Sequence, residues 1–261
     1  MPKLVRANLM RSDLPPWPLD AICLRPDNLT IPELAQIVYQ RTCRTNFSEP
    51  GFCLINLGVD LGSKGLRNTM VALKQELATI HETTRGETLQ YVSLGRFDQQ
   101  NSTKPHRDNG PEECFLMLGY EPTEVESTLE ISDYTRCAHE LGLTPAAFLA
   151  QHNPMFQSGY EMLQPFATQV PCFSCLDYQI ICINNSSVPY SADHSTWLGT
   201  LHTATIKNPD TSKRRVINST LISSIPPGMK DVISQVDVED FLSTNLIRRR
   251  DYGGHQQTDD F

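Results

Sequence analysis

Apolar positions in the first third of the chain recur with a helical period. Residues 66–82 carry large apolar side chains on one face of a predicted amphipathic helix, namely Leu66, Met70, Leu73, Leu77 and Ile80. Residues 30–45 have the same period, with Thr30 as a helix N-cap and Pro32 in the first turn. Between these two helices, the apolar run GFCLINLGV at 51–59 is bounded by glycines, which predicts a strand.

After Gly86 the pattern changes to short apolar and β-branched runs separated by Pro, Gly, Asn and Asp. These runs predict at least six strands, in ETLQYVSLGRF, CFLMLGYE, STLEISDY, QVPCFSCLDYQIICIN, LGTLHTATI and RRVINSTLISSI. A helical segment, TPAAFLAQH, interrupts them, and VEDFLSTNLIRRR predicts a last helix. The predicted fold class is therefore mainly β with flanking helices (α+β), and strands at this spacing are typical of a closed or doubly layered antiparallel sheet.

No linker separates the helical part from the strands, which predicts one domain over residues 1–250. The helical part, about 1–85, is expected to buttress a β core at about 86–225. Residues 251–261, DYGGHQQTDDF, are polar and predict a flexible tail.

The formal net charge of −8 argues against a nucleic-acid partner, which would favour a basic surface. No apolar stretch of about 18 residues is present, so no membrane span is expected. Most of the eight cysteines lie in apolar runs, and the N-terminus carries no secretory pattern. Together these features predict a cytoplasmic protein with free, buried thiols. CFSC at 172–175 is not followed by a second CxxC, so core thiols are favoured over a zinc site.

The segment KPHRDNGPEECF places His106 and Asp108 two positions apart, just before an apolar run. On an extended segment the two side chains point the same way, so they can offer two ligands to one metal ion. Two histidines and a carboxylate hold ferrous iron with open positions for substrate and O₂. The alternative is an incidental surface pair in a turn. A protein-kinase HRD loop is excluded because position 113 is Glu, where an Asn is required.

A third ligand is available further along the chain. His202 lies on a predicted strand, while the competing His194 lies in a predicted loop, so His202 is favoured. The next strand opens with Arg214 and Arg215, and an arginine buried near a metal needs an anionic partner such as a dicarboxylic cosubstrate. The remaining histidines are expected on the surface of helices or in the tail, namely His81, His139, His152 and His255.

This order of His-x-Asp, distal histidine and following arginine resembles the Fe(II)/2-oxoglutarate-dependent dioxygenases. Arg214 and Arg215 stand 12 and 13 positions after His202. GFCLINLGVD is also similar to a strand of the isopenicillin-synthase-like and clavaminate-synthase-like branch. The resemblance covers about residues 30–225 and is one of order and motif rather than of close sequence. It implies a double-stranded β-helix core, that is, a cupin-like jelly-roll.

Carried to this sequence, the resemblance implies catalytic iron ligands at His106, Asp108 and His202, with 2-oxoglutarate and O₂ completing the coordination. It implies that Arg215, with Arg214 as the rival, binds the far carboxylate of the cosubstrate. Arg215 is preferred because Ile217, Ser219 and Leu221 share its face, although the family often has a hydroxyl at the position of Ile217.

The resemblance further implies a hydrogen bond from Thr128 to the cosubstrate. Four residues near the first two ligands are candidate substrate contacts, namely Arg96, Arg107, Gln99 and Asn101.

The implied activity is oxidation of a C–H bond in a small-molecule substrate, coupled to conversion of 2-oxoglutarate to succinate and CO₂. Hydroxylation is the first expectation, with desaturation or cyclisation as variants. Two alternatives stay open: the same fold acting as a protein side-chain hydroxylase, and a non-enzymatic β-sheet binding module with an incidental His-x-Asp.

Overall fold

A computed structural model describes residues 17–191, 195–229 and 232–249. Its helices are α1 (Leu19–Ile22), α2 (Ile31–Thr42), α3 (Gly62–Arg85), α4 (Tyr134–Glu140), α5 (Pro145–Gln151), α6 (Gln157–Leu163) and α7 (Gln235–Ser243), with a 3₁₀ turn at Gln164–Phe166. Its strands are β1 (Cys23–Leu24), β2 (Phe52–Asn56), β3 (Thr88–Asp98), β4 (Cys114–Tyr120), β5 (Ser127–Ser132), β6 (Ala167–Val170), β7 (Gln179–Asn184), β8 (Leu201–Ile206), β9 (Val216–Ile225) and β10 (Arg248–Arg249).

The two long helices begin and end where local chemistry dictates. Thr30 and Glu33 form a capping box at the start of α2, which confirms the predicted N-cap. Helix α3 ends at Gly86, whose φ of 69° is readily adopted only by a residue without a β-carbon. The predicted apolar stripe of α3 is buried at Leu66, Met70, Leu73 and Leu77.

The strands form two sheets. The larger has the order β1-β2-β7-β4-β9-β3-β10, antiparallel in its centre and closed at each edge by a short parallel strand. The smaller has the order β6-β5-β8 and is antiparallel. The chain is therefore a mixed α and β protein with a sizeable sheet and flanking helices, which confirms the coarse fold prediction.

Three hydrophobic clusters account for the layering. Helices α2, α3 and α7 pack on one face of the large sheet, in a cluster that includes Leu73 of α3 and Phe115 of β4. The other face of that sheet meets the small sheet through residues such as Leu116 and Ile131. A third cluster joins α4 and α5 around Phe148. Strands β4 and β7 are buried along their whole length because both of their faces are covered.

The region between β5 and β6 differs from prediction, since three helices stand where one was expected. Asp133 caps α4 through its side chain, a local signal that the sequence pattern did not resolve. The run predicted as one strand over QVPCFSCLDYQIICIN is divided into β6 and β7 by a loop. Cys175 is exposed in that loop, so the expectation of core thiols on a strand fails there.

The prediction that His81 lies on the surface is also wrong, because His81 is fully buried. It lies on the face of α3 that packs against the sheet, where its ring nitrogens bond to Tyr39 and Ser224 at 2.7 and 2.8 Å. The predicted tail and His255 lie outside the described residues. Within the described ranges, none of the helices is long and apolar enough to cross a membrane.

Candidate metal centre

Strand pairing brings two of the predicted ligands together. His106 and His202 form an isolated antiparallel bridge, with reciprocal N–H to carbonyl hydrogen bonds of 3.2 and 3.0 Å. Residues directly opposite each other on antiparallel strands place their β-carbons on the same face. The two imidazole rings consequently lie with their centres 4.2 Å apart.

Asp108 completes the group from the same side of the chain as His106. Its Oδ1 lies 3.3 Å from Nε2 of His106 and 3.9 Å from Nε2 of His202. One ligand atom from each of the three residues lies within 4.8 Å of the other two. In the described part of the chain, this is the one group of three such side chains close enough to share a metal ion.

Hydrogen bonding fixes which nitrogen of His106 is available. Nδ1 of His106 lies 2.7 Å from the carbonyl oxygen of Lys104, and a carbonyl can only accept, so Nδ1 carries the proton. In the neutral ring Nε2 is then the unprotonated nitrogen and can act as a metal ligand, whereas in the protonated ring Nε2 donates to the Asp108 carboxylate, 3.3 Å away. Nδ1 of His202 is buried without a hydrogen-bond partner, so its ring is oriented by packing and strand pairing.

The pKa values of the two histidines are shifted in opposite directions. Burial, together with the smaller effect of the neighbouring His106, lowers the pKa of His202 to about 4. Burial acts in the same direction on His106, but hydrogen bonds to Asp108 and to the Lys104 carbonyl raise its pKa overall. At neutral pH His202 is therefore already in the unprotonated form that a metal ligand requires.

The three residues line a cavity between the two sheets that also contains Arg215. The rest of its wall combines apolar and uncharged polar side chains, namely Phe97, Gln99, Asn101, Thr103, Leu118, Tyr120, Leu129, Ala204, Ile217 and Ser219. Of the predicted substrate contacts, Gln99 and Asn101 are thus brought to the cavity.

Arg215 is 2% exposed, yet no carboxylate among the described residues forms an ion pair with it. Its Nε donates to Oγ of Ser127 at 3.1 Å, and a terminal nitrogen donates to the Gln99 carbonyl at 3.0 Å. Its guanidinium carbon lies 4.1 Å from the ring centre of Phe173. Burial lowers the pKa of Arg215. A buried guanidinium that borders a cavity and forms no ion pair with the described carboxylates is suited to bind an anion there.

Arg214, the rival of Arg215, is exposed and lines a separate groove beside Asn245. Adjacent residues of an extended chain point to opposite sides, which explains why Arg215 and not Arg214 faces the cavity.

The prediction that Arg96 contacts the substrate is not supported, because Arg96 lies on the face of β3 that points away from the cavity. Its guanidinium pairs with Glu121 at 3.0 Å and bonds to Ser63, so it does not reach the cavity. Arg107 is also outside the cavity wall, and donates to the Asn185 carbonyl at 2.8 Å. Neighbouring side chains of an extended chain point to opposite sides. Arg96 precedes Phe97, and Arg107 lies between His106 and Asp108; these three neighbours line the cavity.

Thr128 does not line the cavity, whereas Ser127, one position earlier, contacts Arg215. The alternation of side chains along β5 could have indicated that Ser127 faces inward, because Ser127 is on the same face as Leu129 and Ile131, which are buried between the sheets. Phe173 was also missed, since its position depends on a loop whose course the sequence pattern does not give. His194 lies outside the described residues.

Comparison of the sequence with models of known protein families gave no match, and comparison with curated proteins also gave none. The arrangement of His106, Asp108, His202 and Arg215 is therefore the feature of this chain that bears on its function.

Proposed function

We propose that the protein is an Fe(II)/2-oxoglutarate-dependent oxygenase that oxidises a C–H bond of a small-molecule substrate. The observation that carries the proposal is one cavity that holds both the His106, Asp108 and His202 group and the buried Arg215, whose guanidinium forms no ion pair with a carboxylate of the described residues.

The ligand group suits ferrous iron. Two imidazole nitrogens and one carboxylate oxygen form the set that non-haem Fe(II) oxygenases use, with coordination positions left for other molecules. His106, Asp108 and His202 would hold the metal. Ferrous iron and 2-oxoglutarate, when bound together with O₂, supply the oxidising power for C–H cleavage as 2-oxoglutarate is converted to succinate and CO₂.

Arg215 supports 2-oxoglutarate as the second component. Its guanidinium can donate to both oxygens of a carboxylate, and Oγ of Ser127 lies beside it as a further polar contact. A dicarboxylate held here by one end would direct its other end into the cavity that contains the three ligands. Phe97, Leu118 and Ile217 give that cavity apolar walls, which limit access of water.

The topology supports a jelly-roll core for this proposal. From β3 onward the strands are divided between the two sheets: β3, β4, β7 and β9 belong to the large sheet, and β5, β6 and β8 to the small one. Residues 103–106 act as a fourth element of the small sheet, because Thr103 and His106 bond to Ala204 and His202. Eight antiparallel segments divided between two facing sheets are the arrangement of a jelly-roll.

The decisive experiment is anaerobic titration of the metal-free protein with Fe(II) and then 2-oxoglutarate. We expect the weak visible charge-transfer band of the iron–2-oxoglutarate chelate in wild type. Asp108→Ala should lose the band, and the exposed Arg214→Ala should keep it. No band in wild type at saturating concentrations would contradict the proposal.

Turnover gives an independent measurement. Succinate formation from 2-oxoglutarate is expected only when Fe(II) and O₂ are both supplied. An Asp108→Ala variant that formed succinate as fast as wild type would show that the ligand assignment is wrong.

A further inference from the structure

Asn185 directly follows β7 and is fully buried, and its side chain contacts the backbone of the candidate ligand Asp108. Its Oδ1 accepts the Asp108 N–H at 2.9 Å, and its Nδ2 donates to the Asp108 carbonyl at 2.9 Å. The side-chain amide thus satisfies both backbone groups of Asp108, as a neighbouring strand would.

Further contacts tie the same residue to both sides of Asp108. Nδ2 of Asn185 also donates to Sγ of Cys114 at 3.3 Å, at the start of β4. The backbone carbonyl of Asn185 accepts a hydrogen bond from Arg107, the residue between the first two ligands. Asn185 therefore connects the segment that carries His106 and Asp108 to two central strands of the large sheet.

This attachment is needed because Asp108 lies outside the regular sheet. The bridge to His202 ends at His106, and the carboxylate of Asp108 is 41% exposed, so packing alone does not fix its position. A metal site tolerates only small displacements of its ligands, and the groups that orient those ligands strongly affect metal affinity.

We infer that Asn185 is a positioning residue that holds Asp108 in place as a metal ligand, an inference that rests on the proposed function. Asn185 does not touch the cavity itself. Its effect is to reduce the freedom of the Asp108 backbone, so that the carboxylate stays within reach of the metal shared by His106 and His202.

The test is binding of Co(II) alone, an optical probe for the ferrous site, without 2-oxoglutarate or O₂. Asn185→Asp has the same shape but loses both Nδ2 hydrogen bonds and places an anion against the Asp108 carbonyl. We expect Co(II) affinity to fall by about 10- to 100-fold and the visible ligand-field bands to change as the carboxylate moves.

Ser186→Ala is the matched control. Ser186 is the next residue, is equally buried, and bonds to Cys114 instead of Asp108. It should lower the melting temperature of the metal-free protein while leaving Co(II) affinity and the bands unchanged. Equal loss of affinity in both variants would indicate a general packing effect and overturn the inference.

Arg107→Ala covers the case in which Asn185→Asp does not fold, because Arg107 is only half-buried. It removes the guanidinium from the Asn185 carbonyl and should weaken Co(II) binding severalfold. Wild-type Co(II) affinity in whichever of these two variants folds would overturn the inference while leaving the proposed function intact. Failure of wild type itself to bind Co(II) would instead contradict both proposals.

Discussion

The ring of Phe173 lies against the guanidinium of Arg215, with 4.1 Å between the guanidinium carbon and the ring centre. Phe173 adopts a φ of 68°, a left-handed conformation that is uncommon for a side chain of this size. The side chain of Gln179 accepts the Phe173 N–H at 2.9 Å and so supports that conformation. The loop between β6 and β7 thus places an aromatic face against the one buried cation of the cavity wall.

Replacement of this ring should weaken cosubstrate binding. Phe173→Leu keeps a β-carbon, so the backbone strain is unchanged, but it removes the face that orients Arg215. A stacked cation contributes roughly 1 kcal/mol, which predicts about a fivefold rise in the Kd for 2-oxoglutarate. Anaerobic titration of the Fe(II)-loaded protein would measure it. The exposed Phe156→Leu is the control, and an equal rise there would contradict the specific role of Phe173.

The adjacent pair Arg214 and Arg215 allows a second comparison. Arg215→Met removes a buried charge that has no carboxylate partner among the described residues, so the metal-free protein should melt at the same or a higher temperature. The Kd for 2-oxoglutarate should nevertheless rise about 100-fold, since a bidentate charge-assisted contact is lost. Arg214→Met should change neither quantity, and a larger effect there would reverse the assignment.

The sequence predicted the long helices, most strands and the three residues of the candidate metal centre, because each produces a local pattern. The capping box at Thr30 and the stripe from Leu66 to Leu77 are visible within one or two helical turns. His106 and Asp108 share a side because they are two positions apart on one segment.

The unpredicted features depend on strand parity and on distant contacts. Ser127 replaces Thr128 beside Arg215 because the register of β5 decides which of two adjacent hydroxyls faces inward. Asn185 meets Asp108 only after β7 is placed in the sheet, 77 positions along the chain. The alternation along β5 favours Ser127 once its register is known, but the contact between Asn185 and Asp108 leaves no periodic signal in the sequence.

Arg96 should matter for stability and not for catalysis, contrary to the expectation from sequence. Its side chain and that of Glu121 are 9% and 13% exposed and bond to each other through several atoms. Breaking a largely buried pair leaves one charge uncompensated, so Arg96→Met should lower the free energy of unfolding by about 3 kcal/mol. Urea denaturation checks this value. The KM for 2-oxoglutarate should be unchanged at a temperature where the variant is folded.

His81 should make the metal-free protein less stable in mild acid. Burial lowers its pKa to about 4, and the neighbouring charge of Arg85 acts in the same direction, while Glu87 and Glu113 oppose it. In the unfolded chain the pKa returns to the ordinary value near 6.5. Between these two values the unfolded state binds more protons, so stability falls as the pH is lowered from about 6.5 towards 4.

The full pKa difference corresponds to a loss of about 3 kcal/mol of unfolding free energy. This loss is absent above pH 6.5 and complete below pH 4. His81→Gln cannot take up a proton, yet it keeps a polar group between Tyr39 and Ser224. Its stability at pH 7 should be lower than that of wild type, but it should decline less between pH 6.5 and 4.5. Urea denaturation across this range measures both slopes. Parallel pH profiles for the two proteins would show that His81 does not contribute to the acid sensitivity of the fold.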